Sequence, residues 1–133
     1  MPLYPDGIGC DRCFQASAED AAEGRNRLTG SGSLLDESHF MASIVSCPDC
    51  GQRYLSIFCE TVDWVDSDDP QCKTLLPLTE EESVRLTALG DAIDEATLMK
   101  LDNARRYLHI DFPKGGGTNA QWFPGGFWIR AHD

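Results

Sequence analysis

The cysteines are the residues of this chain whose spacing spells out a chemistry. Cys10 and Cys13 form one Cys-x-x-Cys pair and Cys47 and Cys50 a second, with residues 14–46 between them. Two intervening residues let both sulfurs of a pair reach one ion at about 2.3 Å. Two such pairs offer four thiolates, which fill the tetrahedral shell of Zn²⁺ and leave no position for water or substrate. The expected metal ligands are therefore Cys10, Cys13, Cys47 and Cys50, the expected cofactor is Zn²⁺, and the expected role of the metal is structural. Iron is the redox alternative, because tetrahedral sulfur sites admit it as well. The two close pairs argue against a disulfide framework, as does the start Met1-Pro2-Leu3-Tyr4-Pro5-Asp6, which lacks the basic and apolar regions of a secretory leader.

The second pair reads Cys47-Pro48-Asp49-Cys50-Gly51. Pro48 stiffens the turn, and Gly51 can take positive φ so that backbone N–H groups point at the sulfurs. Together with Cys10-Asp11-Arg12-Cys13, this motif resembles the zinc-ribbon and rubredoxin-like group. The resemblance covers the two motifs and the hairpin around the second, and it implies a β-hairpin with zinc at its tip. The first pair departs from the pattern, with Asp11 and Phe14 where the second has Pro48 and Gly51.

Other reactive residues are scattered. Cys59 lies in an apolar run and reads as a core residue, whereas Cys72 follows Pro70 in a polar stretch and is expected to be exposed. His39, His109 and His132 have no neighbour at ligand spacing. The acidic group Glu60, Asp63, Asp66, Asp68 and Asp69 lacks the glycine and distal glutamate of a calcium loop. With Trp64 beside it, it offers charge and an aromatic anchor, and these six residues are the expected partner surface. Lys114 precedes Gly115-Gly116-Gly117-Thr118, so a P-loop is absent and the glycines read as a mobile loop.

These residues need elements to position them. Ser17 to Leu28 is Ala-rich and reads as a short helix, giving way at Thr29-Gly30-Ser31-Gly32-Ser33 to a flexible insertion. His39 to Ser46 and Gln52 to Val65 read as a hairpin around the second pair, its outgoing strand apolar on both faces and hence central. Thr79 and Glu82 form a capping box, and Leu86, Leu89, Ile93, Leu101, Ala104 and Leu108 predict a helix from about Glu80 to Leu108, with Gly90 weakening its interior. Trp122 and Phe123 face Phe127 and Trp128 across Pro124-Gly125-Gly126, a terminal aromatic hairpin.

The expected fold is therefore α+β, a small zinc-ribbon-like hairpin and sheet with a packed C-terminal helix. One domain spans 1–133: a zinc-knuckle β part over 1–78 with the insertion 29–33, a helical segment over 79–110, and a loop and hairpin over 111–133. No run is long enough to span a bilayer, and the chain reads as cytoplasmic. A formal net charge of −11 disfavours direct nucleic-acid binding, which needs clustered Lys and Arg, and favours a basic protein partner. The functional expectation is a non-enzymatic interaction module of immunity, antitoxin or accessory type; the alternative is a small metalloenzyme or a thiol or iron redox protein.

Overall fold

The computed structural model describes residues 9–10, 12–15, 17–37, 39–61, 70–101, 106–113 and 115–124. Among these residues, six antiparallel strands form one sheet in chain order: β1 (Thr29–Glu37), β2 (Phe40–Ser46), β3 (Arg53–Glu60), β4 (Gln71–Leu78), β5 (Tyr107–Phe112) and β6 (Asn119–Phe123). Helix α1 (Ala18–Gly24) precedes the sheet, and α2 (Glu80–Leu89) and α3 (Glu95–Met99) lie between β4 and β5. The α+β class agrees with the expectation. No helix among the described residues is long and apolar enough to cross a membrane.

Alternation along the strands loads both faces of the sheet. On one face, Phe40, Ala42, Ile44, Leu55, Ile57 and Leu76 are covered by Leu86 of α2, Ile93 and Leu98 of α3. On the other, Tyr54, Leu75, Leu108 and Ile110 are covered by Phe14 and by Ala21 and Ala22 of α1. β3 is therefore buried over Tyr54–Ile57, as its two-sided apolar pattern predicts.

Three expectations need correction. Residues 29–33 are the first half of β1, among the described residues an edge strand rather than a flexible insertion, and its pairing carries two register shifts, one between Gly30 and Gly32 and one between Ser33 and Leu35. Irregular pairing of this kind suits an edge, where glycine costs least. Cys72 is buried, because Gln71–Leu78 is a strand, not a polar approach to the helix.

The helix expected to run to Leu108 starts with the expected capping box: Glu82 N–H donates to Thr79 Oγ1 at 3.1 Å, and Thr79 N–H to Glu82 Oε1 at 2.8 Å. It stops at Leu89, where Gly90 adopts φ +53. Asp94 then caps a new short helix through its carboxylate and Thr97 N–H, and Leu108 lies in β5. The helical spacing failed because Tyr107–Ile110 is buried on both faces, so the strand shows no alternation to set against it. β6 pairs with β5. The expected partners of Trp122 and Phe123 in a terminal hairpin, Phe127 and Trp128, lie outside the described residues.

Candidate metal centre

The second cysteine pair occupies the β2–β3 turn. Cys47 N–H donates to Gln52 O and Gly51 N–H to Cys47 O, both at 2.9 Å. Gly51 has φ +80, and a Cβ there would meet nothing within 4 Å, so glycine is required for backbone conformation alone. The first pair lies in irregular backbone ahead of α1, yet closes the same loop: Phe14 N–H donates to Cys10 O at 2.9 Å. Here the anchor is a side chain. Phe14 is 1% exposed, its ring meets Trp122 edge-on at 4.9 Å between centroids, and the Arg106 guanidinium lies 4.2 Å from it and 4.0 Å from Trp122. Burial and cation–π contact thus stand where the second pair relies on a glycine turn.

These two loops bring the four sulfurs together. Cys10 Sγ lies 3.9 Å from Cys13 Sγ and 3.9 Å from Cys47 Sγ, and Cys13 Sγ lies 3.7 Å from Cys50 Sγ. All four fall within 4.8 Å of one another. A tetrahedron of thiolates at about 2.3 Å from a central ion has edges of about 3.8 Å. The cluster can therefore hold a metal ion, and among the described residues it is the one group of cysteine, histidine and carboxylate side chains with such geometry. Cys47 is buried, Cys10 and Cys13 are half-buried and Cys50 is exposed.

The surroundings tune the sulfurs unequally. Tyr54, 2% exposed, donates its hydroxyl to Cys13 Sγ at 3.2 Å. Burial pushes the Cys13 thiol up against that hydrogen bond, and burial likewise pushes Cys50 up against a backbone hydrogen bond from Gln52. Burial also acts on Cys10, but hydrogen bonds from the backbone N–H groups of Arg12 and Cys13 and from the Cys50 and Cys13 side chains together outweigh it and carry that thiol below its ordinary value. The Tyr54 phenol is itself pushed up by burial and then by Cys13, so it remains a donor. Without an ion, the cluster retains protons that ligation must release.

Gly9 completes the wall. With φ +65, its missing Cβ would lie 2.6 Å from Phe14 Cβ, 2.9 Å from Tyr54 Oη and 3.0 Å from Cys13 Sγ. Its N–H donates to Gln52 Oε1 at 3.2 Å, while Gln52 Nε2 donates to Leu78 O at 2.8 Å, linking the first loop, the hairpin tip and β4. Asp49 is forked between Arg12 and Arg27, an exposed bridge from one pair to the other. Spacing alone singled out none of Gly9, Gln52, Tyr54 or Arg27. Tyr54 carried the one available signal, a polar-tipped aromatic on a buried strand next to the hairpin tip.

Away from this centre, the expected partner surface is described only at Glu60. Its carboxylate accepts from Gln71 Nε2 at 2.8 Å and meets His39 Nδ1 at 3.0 Å. The Gln71 hydrogen bond, followed by that of His39, holds this carboxyl below its usual range. Asp63, Trp64, Asp66, Asp68 and Asp69 lie outside the described residues, as does His132. His109 is 5% exposed, sits between Thr74 Oγ1 at 3.4 Å and Asp111 Oδ1 at 3.1 Å, and is not part of the sulfur cluster. Gly115, Gly116 and Gly117 all have positive φ in the β5–β6 connection. Trp122 and Phe123 pack against Phe14 and Tyr107. Compared with known protein families, curated protein sequences and solved structures, the chain matches none.

Proposed function

We propose that this chain is a zinc-stabilised, non-enzymatic protein-interaction module, built as one domain, in which Cys10, Cys13, Cys47 and Cys50 hold one Zn²⁺. The observation that carries the metal reading is the sulfur cluster, three of whose edges measure 3.7–3.9 Å, against about 3.8 Å for a tetrahedral thiolate shell, with all four sulfurs within 4.8 Å of one another. Four protein sulfurs complete that shell, so the ion would supply cohesion and no open coordination position. Its placement supports a structural role, since one ligand pair precedes α1 and the other tips the β2–β3 hairpin. Structural zinc sites in small modules contribute on the order of 10 kcal/mol of apparent binding free energy, as much as the whole stability of a small domain.

The interaction reading rests on the net charge of −11 together with a metal shell closed to substrate. An excess of carboxylates speeds encounter with a basic protein and opposes a polyanion. The role that fits is that of a cytoplasmic immunity, antitoxin or accessory protein whose partner is basic.

Elemental analysis of the purified wild type and of Cys47→Ser, with thermal melting, tests the metal. One zinc per wild-type chain, lost in the variant together with the stability of the knuckle region, is the expected result. Iron in place of zinc, or an exchangeable water on the ion, would replace this reading with a redox protein or a metalloenzyme. For the partner, affinity capture at low salt followed by a salt step should release a basic protein, and release of no such protein would remove the interaction reading.

A further inference from the structure

Two cysteines lie outside the sulfur cluster: Cys59 at the end of β3 and Cys72 at the start of β4. The strand register sets them directly opposite each other. Their side chains therefore leave the same face of the sheet, and both join the same buried cluster. Neither is in a disulfide. Two residues further along each strand, Thr61 N–H donates to Pro70 O at 3.0 Å. Since hydrogen-bonded and non-hydrogen-bonded pairs alternate, Cys59 and Cys72 occupy a hydrogen-bonded position.

Such a pair has its Cα atoms about 5.5 Å apart, at the centre of the range a disulfide spans. Its Cβ atoms stand about 5 Å apart, roughly 1 Å farther than in a relaxed bridge. Native pairing thus places the two thiols for bond formation while leaving strain in the product, and strained bridges are the readily reduced ones.

We propose that Cys59 and Cys72 form a reversible dithiol–disulfide site whose oxidant is a small disulfide of the glutathione type. The inference is independent of the metal reading. Cys72, 8% exposed against 4% for Cys59, gives up its proton and attacks one sulfur of the oxidant. That S–S bond breaks, and the departing thiolate takes up a proton. Cys59 then loses its proton and attacks the Cys72 sulfur of the mixed disulfide, forming the Cys59–Cys72 bond and expelling the second thiolate. In sum, two protein thiols lose two electrons and two protons, and the oxidant becomes two thiols. Burial makes the first step wait for local opening at this end of the β3–β4 ladder. The bridge would pin together the two ends of the 61–70 connection.

Trypsin provides a clean readout, because Lys and Arg are absent between Arg53 and Lys73 and one peptide, Tyr54 to Lys73, carries both cysteines and none of the four in the cluster. The full chain, loaded with its metal, is incubated with glutathione disulfide until amide exchange across this peptide is complete, then alkylated and digested. The expected peptide is two hydrogen masses lighter, resists alkylation, and returns to full mass after reduced glutathione, with the metal content unchanged. Full mass with both cysteines alkylated, stable glutathione adducts, or a cross-link to a peptide from the sulfur cluster would each overturn the proposal. In Cys59→Ser the mixed disulfide should accumulate on Cys72, and an unmodified Cys72 would overturn the first step.

Discussion

Replacing Tyr54 by phenylalanine removes one hydroxyl and leaves a buried ring of the same shape. That hydroxyl donates to Cys13 Sγ at 3.2 Å, inside a site where the tyrosine is 2% exposed, so water does not replace it. A hydrogen bond to a charged group contributes about 1.5–3 kcal/mol, equivalent to a roughly 10- to 150-fold change in affinity. Loss of an outer hydrogen-bond partner of a metal ligand independently suggests about 10- to 100-fold. In the metal-free protein, burial keeps Cys13 protonated, and a thiol accepts more weakly than a thiolate. The substitution should therefore weaken metal binding by that factor while leaving the melting of the metal-free protein almost unchanged. Competition with a chromophoric chelator at fixed pH measures the first quantity, and the charge-transfer bands of the cobalt-substituted protein report the altered sulfur directly. A variant that binds metal within twofold of wild type, or loses as much stability without metal as with it, would refute the reasoning.

The glycines of the two loops should respond differently to alanine. Gly9→Ala meets both φ +65 and a Cβ contact of 2.6 Å with Phe14, whereas Gly51→Ala meets only φ +80. The first should cost about 3 kcal/mol or more and the second about 1–2 kcal/mol, and denaturant melts that reverse this order would contradict the assignment. Thr79→Ala removes the hydroxyl half of the capping box and should cost about 1 kcal/mol in the same assay. Because the Glu60 carboxyl is held below its ordinary value, its contribution to stability is present above about pH 4.5 and is lost as pH falls through its lower folded value. Gln71→Leu should flatten that acid limb in a plot of melting temperature against pH, and an unchanged limb would show that the Gln71 contact contributes nothing.

The sulfur cluster was legible because ligand identity and two-residue spacing are local properties, and Cys47 to Gly51 carries its turn chemistry within five consecutive residues. The capping box at Thr79 and the burial of β3 were legible for the same reason. What escaped notice was set by tertiary contact. Gly9 is fixed by Phe14 and Tyr54, which only the folded chain brings near it. Cys72 looked exposed because the polar residues before it hid a strand whose pairing with Cys59 decides its burial. Thr29 to Ser33 has the composition of a loop and is held in a strand by its pairing with β2. Leu108 matched a helical period by coincidence, since four successive buried residues fit either period.

The strand order, in which each strand neighbours its successor in sequence, also constrains when the chain can acquire its native contacts. Hairpins closed by short connections form quickly, because little loop entropy opposes them. The contacts of Gly9 and Cys13 with Gln52 and Tyr54 span 43 and 41 residues and belong to the slow class. During synthesis, Cys10 and Cys13 leave the ribosome long before Cys47 and Cys50. An ion caught by the first pair alone would have half its thiolate shell, and its tight capture awaits the β2–β3 hairpin. On the proposed reading, metal binding would thus be a late event, one that closes over strands already paired.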